Sequence, residues 1–354
     1  MKVTVYLSTY NQEQYVAQAL DSILMQKTTF DFEIIAADDC STDGTQSIIM
    51  DYAGRHPGKI IPYFTNPNVG GCKKLTDVID AGLFRGEYLA WLEGDDYWLG
   101  EDRLQTLVDF LENHPEYSRV AHQRDVIDEQ GVYLRPDIAP ELLDRCFTIE
   151  DFLCGRDYSD FGSVFRNYFL EAGDKYHPLL LSSRNVCDFQ DMFITQDFGP
   201  VYLLSRSFGT YRIQTSANAS NYNSITSAIY RRIDQIRICR AVEAFYQGRY
   251  DLTACIRSNQ QRLLDDVLKQ QNEEAFRTAK AYISDAELMQ ILPALLYRLL
   301  RSRNLPVLAF LRSRIGLPRM IALGLPTVGC GIRHLYHRLS GKYPNPLYRG
   351  HVRK

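Results

Sequence analysis

Glu87-Tyr88-Leu89-Ala90-Trp91-Leu92-Glu93-Gly94-Asp95-Asp96 decides the reading of the fold. Its first six residues form a short, largely apolar run that reads as a strand, and the strand runs straight into an acidic cluster. Three earlier runs have the same character: Val3 to Leu7, Glu33 to Ala37, and Ile60 to Phe64. Helical patterns separate them. The first opens at Asn11, with Gln14 three residues on as in a capping box, and puts Val16, Ala19, Leu20, Ile23 and Leu24 on one face. The second follows the turn Asp38-Asp39-Cys40-Ser41-Thr42-Asp43-Gly44 and ends before Pro57. The third follows the loop Asn66 to Gly71 and carries Leu75, Val78, Ile79 and Leu83. Strands alternating with helices predict βαβ units, hence an α/β fold on a mostly parallel, helix-covered sheet. Ligands of such sheets bind beyond the carboxyl ends of the strands. Ser8 to Tyr10, Asp38-Asp39 and Asp95-Asp96 all follow strand ends, so they are predicted to converge on one crevice.

Downstream, Leu104, Leu107, Val108 and Leu111 mark another helix, and the stretch from Tyr117 to about Ser220 reads as more sheet with acceptor-binding loops. From Ile225 onward the pattern is helical, with Leu288, Ile291, Leu292, Leu295, Leu296 and Leu299 on one face. The expected division is an α/β domain over 1–220 and a helical extension over 221–354.

A hydrophobic content of 45% with 23% charged residues places the 354-residue chain among folded globular proteins. Eight scattered cysteines without a CxxC pair predict reduced thiols rather than a zinc or disulfide frame. The opening is too quickly polar for a signal peptide, so a cytoplasmic location is expected. The net charge of −3 hides an asymmetry: Leu295 to Lys354 holds twelve Lys or Arg and no acid, while the rest carries 28 basic and 43 acidic side chains. No apolar run there reaches the ~18 residues of a membrane span. Three readings of this tail remain: a basic segment on the anionic inner face of the plasma membrane, a helical packing or dimerisation module, or a nucleic-acid contact. The last lacks any accompanying motif.

Carboxylates crowded at a sheet edge repel one another unless a cation or hydrogen-bond donors compensate. Glu93, Asp95 and Asp96 are therefore either an exposed acidic turn or a site for a hard divalent cation that shares diphosphate oxygens. Asp38-Asp39 is either a turn and helix cap or, through Asp39, an acceptor for a nucleobase or ribose.

At this point the residues resemble a known family. Ser8-Thr9-Tyr10-Asn11, Ala19 to Leu24, and Asp38 to Thr45 (close to DDGSTDGT) resemble family two glycosyltransferases with the GT-A fold. Asn68 to Gly71, Arg85-Gly86-Glu87-Tyr88 and Glu93-Gly94-Asp95-Asp96-Tyr97-Trp98 continue the resemblance in order, pointing to an EGDDYW-type subgroup. A looser match places Asp188 at a helix start, Gly199 eleven residues on, then a strand and Tyr211-Arg212. The resemblance implies a Rossmann-like GT-A domain that moves a sugar, with inversion, from a nucleotide donor such as a UDP-sugar. The acceptor would be a glycan or lipid-linked molecule of bacterial surface polysaccharide synthesis. Ser8, Thr9, Tyr10 and Asp39 would bind the nucleotide, with Glu93 and Asp95 on the donor. Asp95 and Asp96 would hold Mg²⁺ or Mn²⁺. Asp188 would be the general base, with Asp191 its rival. Glu93 stands where the family often has Asp, and Gln214 lies where some members supply a metal-ligating histidine. The missing QxxRW signature points to single additions. A non-catalytic sugar-nucleotide-binding or scaffold protein and a nucleotidyltransferase are the rival functions. A homo-oligomer through the C-terminal helices is a further expectation.

Overall fold

A computed structural model describes residues 1–154, 156, 162–214, 227–270, 273–288 and 290–292. The chain divides into two compact units, Met1–Ile225 and Thr226–Lys354. The first begins with strands and helices in alternation: β1 (Val3–Thr9), α1 (Val16–Leu24), β2 (Phe32–Asp38), α2 (Thr45–Arg55), β3 (Ile60–Phe64), α3 (Gly71–Asp80) and β4 (Tyr88–Glu93). After α4 (Arg103–Asn113) come β5 (Arg119–Ile127), β6 (Tyr133–Pro136), β7 (Arg145–Phe147), α5 (Ile149–Leu153) and β8 (Val164–Arg166). Then follow α6 (Phe169–Ala172), α7 (His177–Leu180), α8 (Asp188–Gln196) and the long β9 (Val201–Arg212).

All but β6 lie along one path in the order β3-β2-β1-β4-β8-β5-β9-β7, and β6 pairs with β5. β3, β2, β1 and β4 run parallel, as the alternation predicts. Beyond β4 the pattern changes: β8 is antiparallel to both β4 and β5, and parallel pairing resumes between β5 and β9. The result is the flanked, mixed α/β sheet of a GT-A-like fold. The topology also decides where a ligand can enter. β2 and β3 extend the sheet to one side of β1, and the chain then returns to lay β4 on the other side. A crevice therefore opens beyond the carboxyl ends of β1 and β4, at the switch in strand order.

The core under this half consists of Val3, Val5 and Leu7 of β1, Ile34 and Ala36 of β2, Ala90 of β4, and the inward faces of α1 and α4. Val16, Ala19, Leu20 and Ile23 are fully buried on α1, the face that the 3.6-residue spacing predicts. Each such aliphatic side chain contributes about 1.5–3 kcal/mol when fully buried. One local expectation fails. Asn11 does not cap α1, which starts at Val16 with no side-chain cap. Asn11 has a positive φ of 51° and accepts the Thr42 amide at 2.8 Å, so its side chain joins two loops instead. Gln12 supplies the carbonyl for the Tyr15 and Val16 amides.

The described part of the second unit is helical: α9 (Ala228–Phe245), α10 (Thr253–Gln270) and α11 (Glu273–Lys280). α9 buries Ile229, Ile233, Ile236 and Val242, and α10 buries Ile256, Leu263, Leu264 and Val267. Among the described residues no helix is long and apolar enough to cross a membrane. The basic stretch from Leu295 to Lys354 lies outside the described residues.

Candidate active site

The strand ends meet as their register requires. Ser8 stands opposite Glu93 and Thr9 opposite Asp38, while the Gly94 amide reaches the Ser8 carbonyl at 2.9 Å and the Asp39 amide the Thr9 carbonyl at 3.1 Å. Glu93 is thus the last residue of β4 rather than part of a turn. Gly94 follows because nothing larger fits: a Cβ there would lie 2.5 Å from Gln12 Oε1 and 2.7 Å from Thr9 Cγ2. Ser8 and Tyr10 are half-buried at the crevice. Thr9 is not, for it is 1% exposed and its hydroxyl donates to Asp38 Oδ2 at 3.0 Å.

Beneath these ends lies Lys74 of α3, 1% exposed. Its ammonium donates to Ser8 Oγ at 3.2 Å and to the Thr9 and Ala37 carbonyls at 3.1 and 3.0 Å. Burial pulls its pKa down, while Glu93, Asp39 and Asp38 pull it up. The sequence reading missed this residue, yet a signal existed. Positions 74, 75 and 78 share a helix face, so a lysine there points into the apolar side. Glu93 is pushed up to about 8, chiefly by burial, with Asp95 and Asp188 adding repulsion and Lys74 and the Ser8 hydroxyl opposing it. At the start of α3 the Gly71 amide reaches Asn185 Oδ1 at 3.4 Å and the Cys72 amide the Arg184 carbonyl at 3.0 Å, which ties the turn before α8 to the helix that carries Lys74.

Asp95 and Asp96 are buried, at 7% and 4% exposure. Burial raises both pKa values, and for Asp96 the neighbouring Asp95 adds to the rise. Donors from the end of β9 compensate: Gln214 Nε2 reaches Asp95 Oδ2 at 2.6 Å, and the Arg212 amide reaches Asp96 Oδ1 at 2.6 Å. The Arg212 side chain donates to the Asp95 carbonyl at 2.7 Å, to the Asp128 and Glu129 carbonyls at 3.2 and 3.1 Å, and to Gln18 Oε1 at 3.1 Å. Its guanidinium also lies 4.4 Å from the Tyr15 ring centre. The sequence frame noted Tyr211-Arg212 and Gln214 only by position; in the structure Arg212 and Gln214 hold the acidic loop. As for a cation, no three Asp, Glu, His or Cys side chains among the described residues close on one point. Asp95 and Asp96 fit a hard divalent ion as a pair of oxygen donors, with the remaining ligands drawn from diphosphate and water.

Asp39 is 4% exposed and acts as a hub. Oδ1 accepts the Thr65 hydroxyl at 2.7 Å and the Val69 amide at 2.8 Å, Oδ2 accepts the Gly70 amide at 2.8 Å, and its carbonyl accepts Asn68 Nδ2 at 2.8 Å. Asp38 and Asp43 are turn residues. Asp38 takes the Ser41 amide and Gln46 Nε2, and Asp43 takes the amide and hydroxyl of Thr45 where α2 begins.

The two candidate bases separate clearly. Asp188, at the first position of α8, is half-buried, and its pKa is raised by burial and by Asp191 against the opposing charge of Arg124. Asp191 lies one turn further on, 0% exposed, paired with the Arg119 guanidinium and accepting the Tyr168 hydroxyl. Its carboxylate is committed inside the protein. Arg124 of β5 was also missed; it donates twice to Asp137 Oδ2, at 3.0 and 2.6 Å, and lies 4.7 Å from the Tyr211 ring centre. The signal was a strand, Arg119 to Arg124, that buries Arg119, His122, Gln123 and Arg124.

Known proteins resemble this chain in sequence and in fold. An uncharacterised protein of Mycobacterium tuberculosis is 40% identical over 156 residues, 44% of each chain. A putative glycosyltransferase of Bacillus subtilis, EpsE, is 35% identical over 131 residues, 37% of this chain and 46% of that one. The matched stretch therefore spans less than half the length of these relatives. The structure of residues 1–349 of Staphylococcus aureus TarS in complex with UDP-GlcNAc superposes with a TM-score of 0.57 over 97% of this chain and 93% of that one, at 17% identity. That likeness is one of fold. The model of Glycosyl transferase family 2 matches residues 4–173, from β1 through the acidic loop to α6, so this part of the chain resembles that family in sequence.

Proposed function

We propose that the protein transfers a sugar from a UDP-sugar to a hydroxyl of a glycan or lipid-linked acceptor, inverting the anomeric centre. The observation that supports this reading is the buried pair Asp95 and Asp96 just beyond the end of β4, held by Gln214 Nε2 at 2.6 Å and the Arg212 amide at 2.6 Å. A carboxylate pair fixed at the strand-end crevice suits the diphosphate end of a nucleotide donor. The TarS structure is a complex with UDP-GlcNAc, which favours uridine diphosphate on the donor.

Each group then has a task. Ser8, Tyr10 and the loop around Asp39 hold the nucleoside. Asp95 and Asp96 hold the diphosphate end through Mg²⁺ or Mn²⁺, which when bound would stabilise the charge that gathers on the leaving diphosphate. Gln214 and Arg212 fix those two carboxylates so that they need not reorganise during the reaction. Asp188 accepts the proton of the attacking hydroxyl, and its raised pKa suits a base that must hold that proton. A base on the face opposite the leaving group gives in-line displacement, hence inversion. Protonated Glu93 can donate a hydrogen bond to the donor at neutral pH. The basic stretch from Leu295 to Lys354 suits attachment to the anionic inner face of a bacterial plasma membrane, where surface polysaccharides are built.

The test is thermal unfolding with UDP-GlcNAc, other sugar nucleotides and Mn²⁺ in turn, paired with UDP release. A shift upward with a UDP-sugar, larger with Mn²⁺ and lost in Asp95→Asn, is expected. Indifference to every sugar nucleotide would end the proposal.

A further inference from the structure

The loop that Asp39 organises does not stop at the nucleotide side of the crevice. Asn68, whose amide holds the Asp39 carbonyl, accepts Arg184 through its own Oδ1 at 2.7 Å and its carbonyl at 3.1 Å. Two residues on, Gly70 gives its amide to Asp39 and lies against Arg184, so that an added Cβ would come 2.6 Å from the Arg184 carbonyl. Its φ of 93° and ψ of 151° belong to backbone that only glycine adopts readily. The Cys72 amide donates to the same Arg184 carbonyl at 3.0 Å, and the neighbouring Cys72 thiol together with burial pushes the Cys187 thiol's pKa up. Cys187 immediately precedes Asp188. Ser183 Oγ closes the turn between them by accepting the Asn185 and Val186 amides at 3.2 and 3.1 Å.

Hydrogen bonds thus run from Asp39, through Asn68 to Gly70, to Arg184, which stands four residues before Asp188, the first residue of α8. We propose that Arg184 is a positioning residue, latching the nucleotide loop to the turn that carries Asp188, so that an occupied nucleotide pocket sets where the base stands. Arg184 is exposed and makes none of the core contacts that stabilise the sheet. Its value to the chain lies in the span it bridges, 116 residues in sequence. Displacement of a reacting group by about 1 Å can cost on the order of 10²-fold in rate. This inference rests on the assignment of Asp188 as base.

The experiment measures UDP release from UDP-GlcNAc by the full chain, with water in place of the acceptor hydroxyl, and UDP affinity by calorimetry. Arg184→Ala should slow release at saturating donor by about tenfold or more while changing the UDP Kd by less than about threefold. Arg184→Lys, which keeps a single nitrogen able to reach Asn68, should recover most of the rate. In an Asp188→Asn background Arg184→Ala should cost nothing further, because both changes act through one group. Asn68→Ala and Arg184→Ala should likewise fail to add. If Arg184→Ala slows release equally with and without Asp188, or if it lowers turnover only in step with melting temperature, the latch is wrong. If Asp188→Asn alone leaves release intact, the base assignment falls and the latch falls with it. If Asp188→Asn slows release and Arg184→Ala does not, only the latch falls.

Discussion

Replacing Asp191 by Asn separates a structural carboxylate from the proposed base. In the parent protein Oδ2 of Asp191 pairs with Arg119 and Oδ1 accepts the Tyr168 hydroxyl, with the side chains of Asp191 and Arg119 both 0% exposed. Asparagine has nearly the same shape but one acceptor oxygen and no charge. Its amide must face either the guanidinium or the phenol, and both of those groups are donors. Arg119, over the Phe165 ring at 4.3 Å, keeps its charge in a dry setting after its carboxylate has gone. Removing one partner of a buried pair costs about 3–5 kcal/mol. For a folding unit of this size each kcal/mol lowers the melting temperature by roughly 2–4 °C, so a fall of about 6–20 °C is expected. The assay is thermal unfolding by circular dichroism, with UDP release measured well below the new transition and normalised to folded protein. Turnover per folded molecule should survive. A melting temperature within about 3 °C of the parent, together with collapse of turnover, would refute the reasoning and hand Asp191 the role assigned to Asp188.

Asp188→Asn should do the reverse, lowering turnover by about 10²–10⁴-fold with little change in melting temperature. The raised pKa of Asp188 predicts that kcat/KM falls on the acid side at a pH above the ordinary aspartate value, since the base must be unprotonated; a limb at or below that value counts against the assignment. Glu93 rises from 4.5 to about 8, so the folded protein keeps a proton that the unfolded chain releases, and stability should decline as pH climbs between those values. Melting in EDTA across that range should show the decline, and Glu93→Gln should flatten it. Gly70→Ala should cost about 1–3 kcal/mol through backbone strain and contact with Arg184, read by denaturant titration; a neutral result would contradict the loop geometry. Truncation after Asp285 should abolish binding to anionic liposomes, and undiminished binding would exclude the basic stretch as the anchor.

The nucleotide half of the fold was legible because its strands are short, apolar and regularly separated by amphipathic helices. The run into Glu93 to Asp96 was readable for the same reason, since a period change marks where a strand ends. Beyond β4 no pattern announces β8, three residues long and antiparallel, because so short a run carries no period. Arg212 and Gln214 approach Asp95 and Asp96 from more than a hundred residues away, and no local pattern encodes such a pairing. Asp188 and Asp191 looked alike in sequence, both in the first turn of one helix. Only the position of Arg119 and Tyr168 on other elements distinguishes them. Asn11 illustrates the opposite failure: its capping pattern was present, but the Thr42 amide competed for its side chain and won.

Lys74 gives the crevice a property that surface charge cannot. Mobile ions weaken fields that pass through solvent, with a decay length of about 8 Å at physiological ionic strength, but they do not reach a charge enclosed under the ends of two strands. The balance between this ammonium and the carboxylates above it should persist as the ionic strength of the surroundings changes. The attraction of the basic C-terminal stretch for an anionic surface would weaken under the same change. Under the proposed function, salt would govern attachment to a membrane while leaving donor binding largely untouched.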